Sequence, residues 1–289
     1  MGALFVAAGH DGLRIVSENG ADWKNAQLGK QGETYRAVAS GAGRFVAAGG
    51  YGGVNIFAST TDGVAWETGK IEAKYVKYIR GLGFDGQQFI GIGGDPGSVG
   101  SSNPFIVTSP DGKTWSDYVG ISGKEMLRRL AFGKDLIVGV GDRGRRAASS
   151  DGGKTWQDAP GKRAIDTLAD VTFGNGRFVG VGLHSLRMSS DDGLAWSAPQ
   201  RGEEGEHLNS VVWTGNQFVA VGAGASYFSP DGLQWERKPN TDAPLTVAYG
   251  AGVFVGLQWQ GRVLLSSDAV EWKQVFKCEQ HLEAVCFGA

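Results

Sequence analysis

The sequence is short of cysteine, of basic excess and of long apolar runs, and each shortage removes a class of protein. Only Cys278 and Cys286 occur among 289 residues, so the chain is not a disulfide-stapled scaffold. Neither belongs to a CxxC pair, and with four histidines they show no zinc-ligand spacing. A Cys278–Cys286 bridge and two free thiols both stand open from the residues alone. Cys286 falls in phase with Ala39, Ala131 and Thr172 of other repeats and reads as a small core filler. No apolar run approaches the ~18 residues of a membrane helix. No charged-then-apolar leader precedes the first strand-like segment, so a signal peptide is expected to be absent from this chain. A formal net charge of -2 argues against nucleic acid or a membrane surface as partner.

What is present is glycine, 48 residues of it, with 14 phenylalanines and nine tryptophans. That composition, with few methionines and no alanine-leucine-glutamate tract, points to an all-β chain. Seven tryptophans recur at a near-regular period: Trp23, Trp66, Trp115, Trp156, Trp196, Trp235 and Trp272. The mean repeat is about 41 residues, the length of one four-stranded propeller blade. Before each tryptophan stands a turn phrase, such as Ser109-Pro110-Asp111-Gly112 or Ser190-Asp191-Asp192-Gly193. Asp or Asn can cap backbone amides there, glycine takes positive φ, and the tryptophan packs back over the turn.

A second phrase precedes each turn, clearest from Leu168 to Gly182: a strand, the pair Asn175-Gly176, and a second strand ending in glycine. Such a unit cannot cover both faces of its sheet, whereas radial stacking of seven can. The chain ends fit one another. Leu282–Gly288 reads as a first strand without a second, and Leu4–Gly9 as a second without a first. The expected fold is therefore a seven-bladed β-propeller of four-stranded antiparallel blades. Its ring is closed by the C-terminal strand joining the N-terminal blade, and one propeller domain spans 1–289.

The turns resemble Asp-box (BNR) repeats, Ser-x-Asp-x-Gly-x-x-Trp. Ser149 to Trp156 and Ser189 to Trp196 carry the pattern, the others shift or replace the aspartate, and Ala269 departs at the glycine. The chain is thus similar to seven-bladed Asp-box propellers of bacterial surface and periplasmic proteins, photosystem assembly-factor propellers among them, and shares the box with six-bladed sialidases. The resemblance implies an extracellular or periplasmic setting, with a cytoplasmic one left open. It also implies that the boxes are fold devices on the rim away from the ligand face.

Phasing the chain to the turns places candidate ligand residues on the opposite face. Arg36, Arg80 and Arg128 enter the innermost strands of three consecutive blades, in phase with Ala169, Asn209 and Glu283. Arg129 follows directly, and Asp142, Arg143, Arg145 and Arg146 come from a loop of the fourth blade. Guanidiniums gathered at a channel mouth suit a carboxylate or phosphate; pairing with Asp142, Asp170, Glu283 and Glu125 is the alternative. His10, His184, Asp95, Tyr51 and Trp259 belong to the same face, and exposed rings there suit a sugar or a peptide anchor. The longest loop on this face, Gly93 to Pro104, is the expected lid or recognition loop.

Two glycine runs, Gly81–Gly86 and Gly139–Gly144, match the dinucleotide fingerprint by letter, but neither opens a helix. No nucleophile elbow, Walker sequence or HExxH occurs, so neither a cofactor nor a metal is expected. The leading expectation is a non-catalytic, monomeric binding or scaffold propeller that recognises an acidic peptide, protein or glycan. A sialidase-like glycosidase would need a Tyr–Glu nucleophile pair beside the arginines, and a seven-bladed lyase or lactonase a metal-ligating set in the channel mouth.

Overall fold

Second strands of the repeats are apolar on both sides, and that decides their place. In Arg177–Gly182, Phe178, Val179 and Val181 are fully buried, and Leu4–Gly9 is buried at every position. A strand covered on both faces must sit between two other sheets. By contrast Trp23–Gln27 is exposed at most positions, as befits an outer edge. The computed structural model describes residues 2–72, 78–95, 102–116, 118–161 and 166–289. It shows seven antiparallel sheets in a ring. Innermost strands run Thr34–Gly41, Ile79–Phe84, Leu127–Gly133, Leu168–Gly174, His207–Trp213, Thr246–Gly250 and Leu282–Gly288, each packed against the next and the last against the first.

Ring closure follows the sequence expectation. Leu282–Gly288 pairs antiparallel with Leu4–Gly9, with Cys286 opposite Val6 and Val285 opposite Ala7. The first blade therefore takes its innermost strand from the far end of the chain. The fifth sheet has three full strands; its outer segment attaches through bridges between Arg187 and Gln200 and between Ser190 and Trp196 and through bonds between Ser189 and Ser197. Both cysteines are free thiols, so there is no bridge. Cys286 packs beside a core cluster, and burial raises its thiol pKa.

The aspartate turns are built alike. Asp192 accepts the amides of Leu194 and Ala195, while the Ser190 hydroxyl donates to Asp192 and accepts from Gly193 N at 2.9 Å. The Trp196 indole N–H then closes the turn on the Gly193 carbonyl at 2.8 Å. Asn19 takes the aspartate's part in the first blade. In the seventh, Ala269 adopts the left-handed conformation, φ 60°, that glycine fills elsewhere.

Arginines of third strands bind the blades to each other. Arg14 lies over Trp66 of the next blade at 5.5 Å, Arg146 over Trp196 at 5.9 Å and Arg187 over Trp235 at 5.9 Å.

One irregularity positions the site. Six innermost strands carry a register shift near their start, and it leaves Arg36, Arg80, Arg128, Ala169, Asn209 and Glu283 out of the ladder. A bulge of this kind re-aims its extra side chain. Register fixes the face as well. In the fifth blade Leu168, Gly182 and Leu186 align at one end, while Phe178 and Ser190 of the aspartate turn align at the other. The bulges and the turns thus occupy opposite faces of the ring.

Candidate functional site

The mouth of the channel is a ring of bulge residues, cationic on blades two to four. Arg80 stands between Arg36 and Arg128. Burial lowers its pKa first, and the charges of Arg36 and Arg128 lower it further, against weaker opposition from Glu283 and Asp142. The three guanidiniums therefore sit within electrostatic reach of one another, as their phase implies. Their partners differ. Arg36 pairs with Glu283 at 3.4 Å and Arg128 with Asp142. The Arg80 side chain makes no hydrogen bond or ion pair with a described residue, and its Nε is buried without an acceptor. A partly desolvated guanidinium without a bonded partner is costly by itself and has donors to offer an external anion.

Below this ring the channel narrows to a polar cavity of about 170 Å³. Arg129 lines it but is spent on the wall, donating to the carbonyls of Arg80 at 2.6 Å and Arg128 at 3.1 Å. Asp170 accepts from the Ser210 hydroxyl and the Val211 amide, both at 2.9 Å, and Ser210 Oγ accepts from Val247 N at 3.3 Å. Burial raises the Asp170 carboxyl pKa, with the Arg129 charge opposing. This relay ties blades five, six and seven together and stabilises the ring.

Two expected ligand residues in the fourth blade are corrected. Arg145 is fully buried, bonded to Asp158 at 3.0 Å and to the carbonyls of Glu125 and Ser122. It ties a loop to the blade beneath. Arg146 is buried under Trp196. Only Arg143, left-handed at φ 51°, stays exposed. Of the Gly93–Pro104 loop, residues 96–101 lie outside the described residues.

Beside Arg36, His10 bonds Glu283 at 2.8 Å and meets His281 edge-on at 5.3 Å. Trp259, 63 % exposed, stacks on His281 at 5.1 Å. Burial lowers the His281 pKa. His281 was not singled out by sequence, although it lies two residues before Glu283 in the phased repeat. Tyr51 is 44 % exposed and lies over Gly32. His184, left-handed at φ 56°, bonds Asp166 at 2.9 Å, and Asp166 also holds Arg201. His184 and Arg143 occupy equivalent short turns at this face.

A Tyr–Glu pair does form, but away from the arginine cluster. Tyr227 donates to Glu206 at 2.5 Å, and the two are 3 % and 4 % exposed. Burial pushes the Glu206 carboxyl up, yet bonds from Tyr227 and Arg237 outweigh it and hold the pKa below its ordinary value. A side chain at Gly202 would strike both groups, so that loop roofs the pair. The pair lies inside the sixth blade, where no repeat spacing reveals it. Among the described residues no group of three His, Cys, Asp or Glu could hold a metal ion, and no helix is long and apolar enough to cross a membrane.

A groove of about 1,100 Å³ lies on the turn face. Two of its carboxylates are committed: Asp85 caps Gln87 and Gln88, and Asp151 caps Thr155. Size and chemistry disagree here, and the chemistry favours the mouth.

No protein-family model and no curated protein sequence matches the chain, so the Asp-box resemblance rests on the turns alone. Solved structures match widely, 1088 chains in all, so the fold by itself selects no activity. One similar structure is YCF48 bound to D1 peptide, with a TM-score of 0.62 and 15% identity over 92% of this chain and 85% of that one. Another is the periplasmic gluconolactonase PpgL of Pseudomonas aeruginosa, with a TM-score of 0.71 and 8% identity over 99% of each chain. At these identities the likeness establishes a shared seven-bladed propeller fold.

Proposed function

We propose that this protein is a binding or scaffold propeller that holds an anionic group of a peptide, protein or glycan at its channel mouth, with Arg80 as the anchor. The carrying observation is that the Arg80 side chain lacks a partner among the described residues while both neighbouring arginines have one. Glu283 and Asp142 hold Arg36 and Arg128 in place, so an incoming carboxylate meets a site whose flanks are already ordered. Tyr51 and Trp259 offer exposed aromatic surface on the same face. The peptide seen on YCF48 supports a peptide or protein partner. An extracellular or periplasmic setting is supported by the periplasmic gluconolactonase. We take the protein to act as a monomer without cofactor.

Peptide and glycan arrays carrying carboxylates test this reading, with Arg80→Ala plus Arg128→Ala as control. Binding should vanish in the double variant while melting stays unchanged. Unaltered binding, or a large fall in melting temperature, would overturn it. A second reading, lactone hydrolysis, has the full-length likeness to the gluconolactonase behind it; turnover of simple aldonolactones that survives purification would favour it. The glycosidase reading finds its Tyr–Glu pair under Gly202 and is not supported by geometry.

A further inference from the structure

The seven positions around the mouth are amphipathic by construction. Reading the phase-equivalent position through every blade gives Arg36, Arg80 and Arg128, then Ala169, Asn209 and Leu245, then Glu283, a bulge in every blade but the seventh. The cationic half thus faces a half with no charge. Between the halves lies a notch of about 380 Å³, with Arg128 and Arg129 on one side and Thr167, Ala169, Leu183, Asn209 and Leu245 on the other. Its apolar wall comes from three different blade connections: Ala169 and Leu245 are half-buried, and Leu183 is 39 % exposed on its turn. Arg128 belongs to the notch and to the arginine cluster at once, so one ligand can reach both.

We infer that the mouth is built for a peptide in which a carboxylate adjoins a large apolar side chain, the carboxylate facing Arg80 and Arg128 and the apolar group filling the Ala169–Leu183–Leu245 notch. The inference rests on the anion-binding reading and adds the chemistry of the neighbouring group. Leucine- or phenylalanine-sized groups fit the volume, and burying one there removes apolar surface from water on both sides. The third ring member of this half, Asn209, reaches only the Pro244 carbonyl, at 3.5 Å, among the described residues. Its amide oxygen and second N–H can accept from and donate to a peptide bond. An acidic side chain and a chain terminus supply the same carboxylate.

Fluorescence anisotropy with fluorescein-labelled pentapeptides separates these terms. One peptide, amidated at its end, carries Glu beside Leu; a second replaces that Leu by Ser; a third has no acidic side chain and ends in Leu with a free carboxylate. The Glu-Leu or the free-terminus peptide should bind about tenfold or more tighter than the Ser peptide. Leu183→Ser, on an exposed turn, and Ala169→Trp, which fills the notch, should each erase that preference while leaving the Ser peptide's weaker binding in place. Equal binding of the Leu and Ser peptides, or a preference untouched by both variants, overturns the notch and leaves the arginine reading standing. Binding by none of the peptides overturns both.

Discussion

The two faces of the ring are built on opposite rules. On the turn face the same arrangement recurs in every blade: a hydroxyl, an aspartate or asparagine bonded to two amides, and a residue of positive φ. On the mouth face one repeat-equivalent position carries arginine, alanine, asparagine, leucine or glutamate depending on the blade. Repetition of the same carboxylate- or amide-to-backbone bonds marks the part that makes the fold. Variation with one guanidinium left over marks the part that is free to meet a partner.

The comparison breaks most completely if the ring does. Deleting residues 281–289 removes the innermost strand of the first blade and exposes the edge of Leu4–Gly9. Loss of the cooperative thermal transition is expected; native melting would contradict the closure.

On the mouth face, Arg80→Ala should cost tenfold or more in affinity for a carboxylate peptide, with the effect shrinking as salt is raised. Because burial and like charges disfavour the charged form of Arg80 in the folded state, its removal should leave the melting temperature unchanged or raise it. A clear fall would make Arg80 a structural residue.

On the turn face, Asp192→Ala leaves the amides of Leu194 and Ala195 without their acceptor. The expected loss is about 1 kcal/mol, as for a helix cap, and a melting shift of roughly 2–4 °C. Ligand affinity should not move.

The smallest effect is acid sensitivity. The Asp151 carboxylate, held by the Thr155 hydroxyl and amide, titrates at about 2. That of Asp111 does too, where bonds from Thr114 and Lys113 outweigh desolvation. Both lie below the ordinary 3.8. A depressed carboxyl contributes stability above its unfolded pKa and loses it as pH falls through the folded one. Melting temperature should therefore decline from about pH 4 toward pH 2, and Asp111→Asn with Asp151→Asn should flatten that decline relative to the parent. Asp170, raised by burial, works in the opposite sense, so only the difference between the two proteins is informative.

The fold and the place of the arginines were legible in the sequence because both are periodic. Trp23 to Trp272 supply a ruler, and counting back from it brings Arg36, Arg80 and Arg128 to one position. Periodicity does not report depth. Arg143 and Arg145 are two residues apart, yet one is exposed and the other is sealed against Asp158 by the loop of Ser122 and Glu125. Contacts such as Tyr227 with Glu206 inside the sixth blade, or Trp259 with His281 between the seventh and the first, depend on three-dimensional packing and leave no spacing to read. The apolar half of the mouth was within reach of the ruler once Leu245 is counted with Ala169 and Asn209.

The most direct measurement crosses the two faces: carboxylate-peptide affinity and melting temperature determined side by side for Arg80→Ala and Asp192→Ala. The account predicts that the first loses affinity and keeps its stability, while the second loses stability and keeps its affinity. The reverse pattern, or both losses in one variant, would contradict the assignment of function to the mouth.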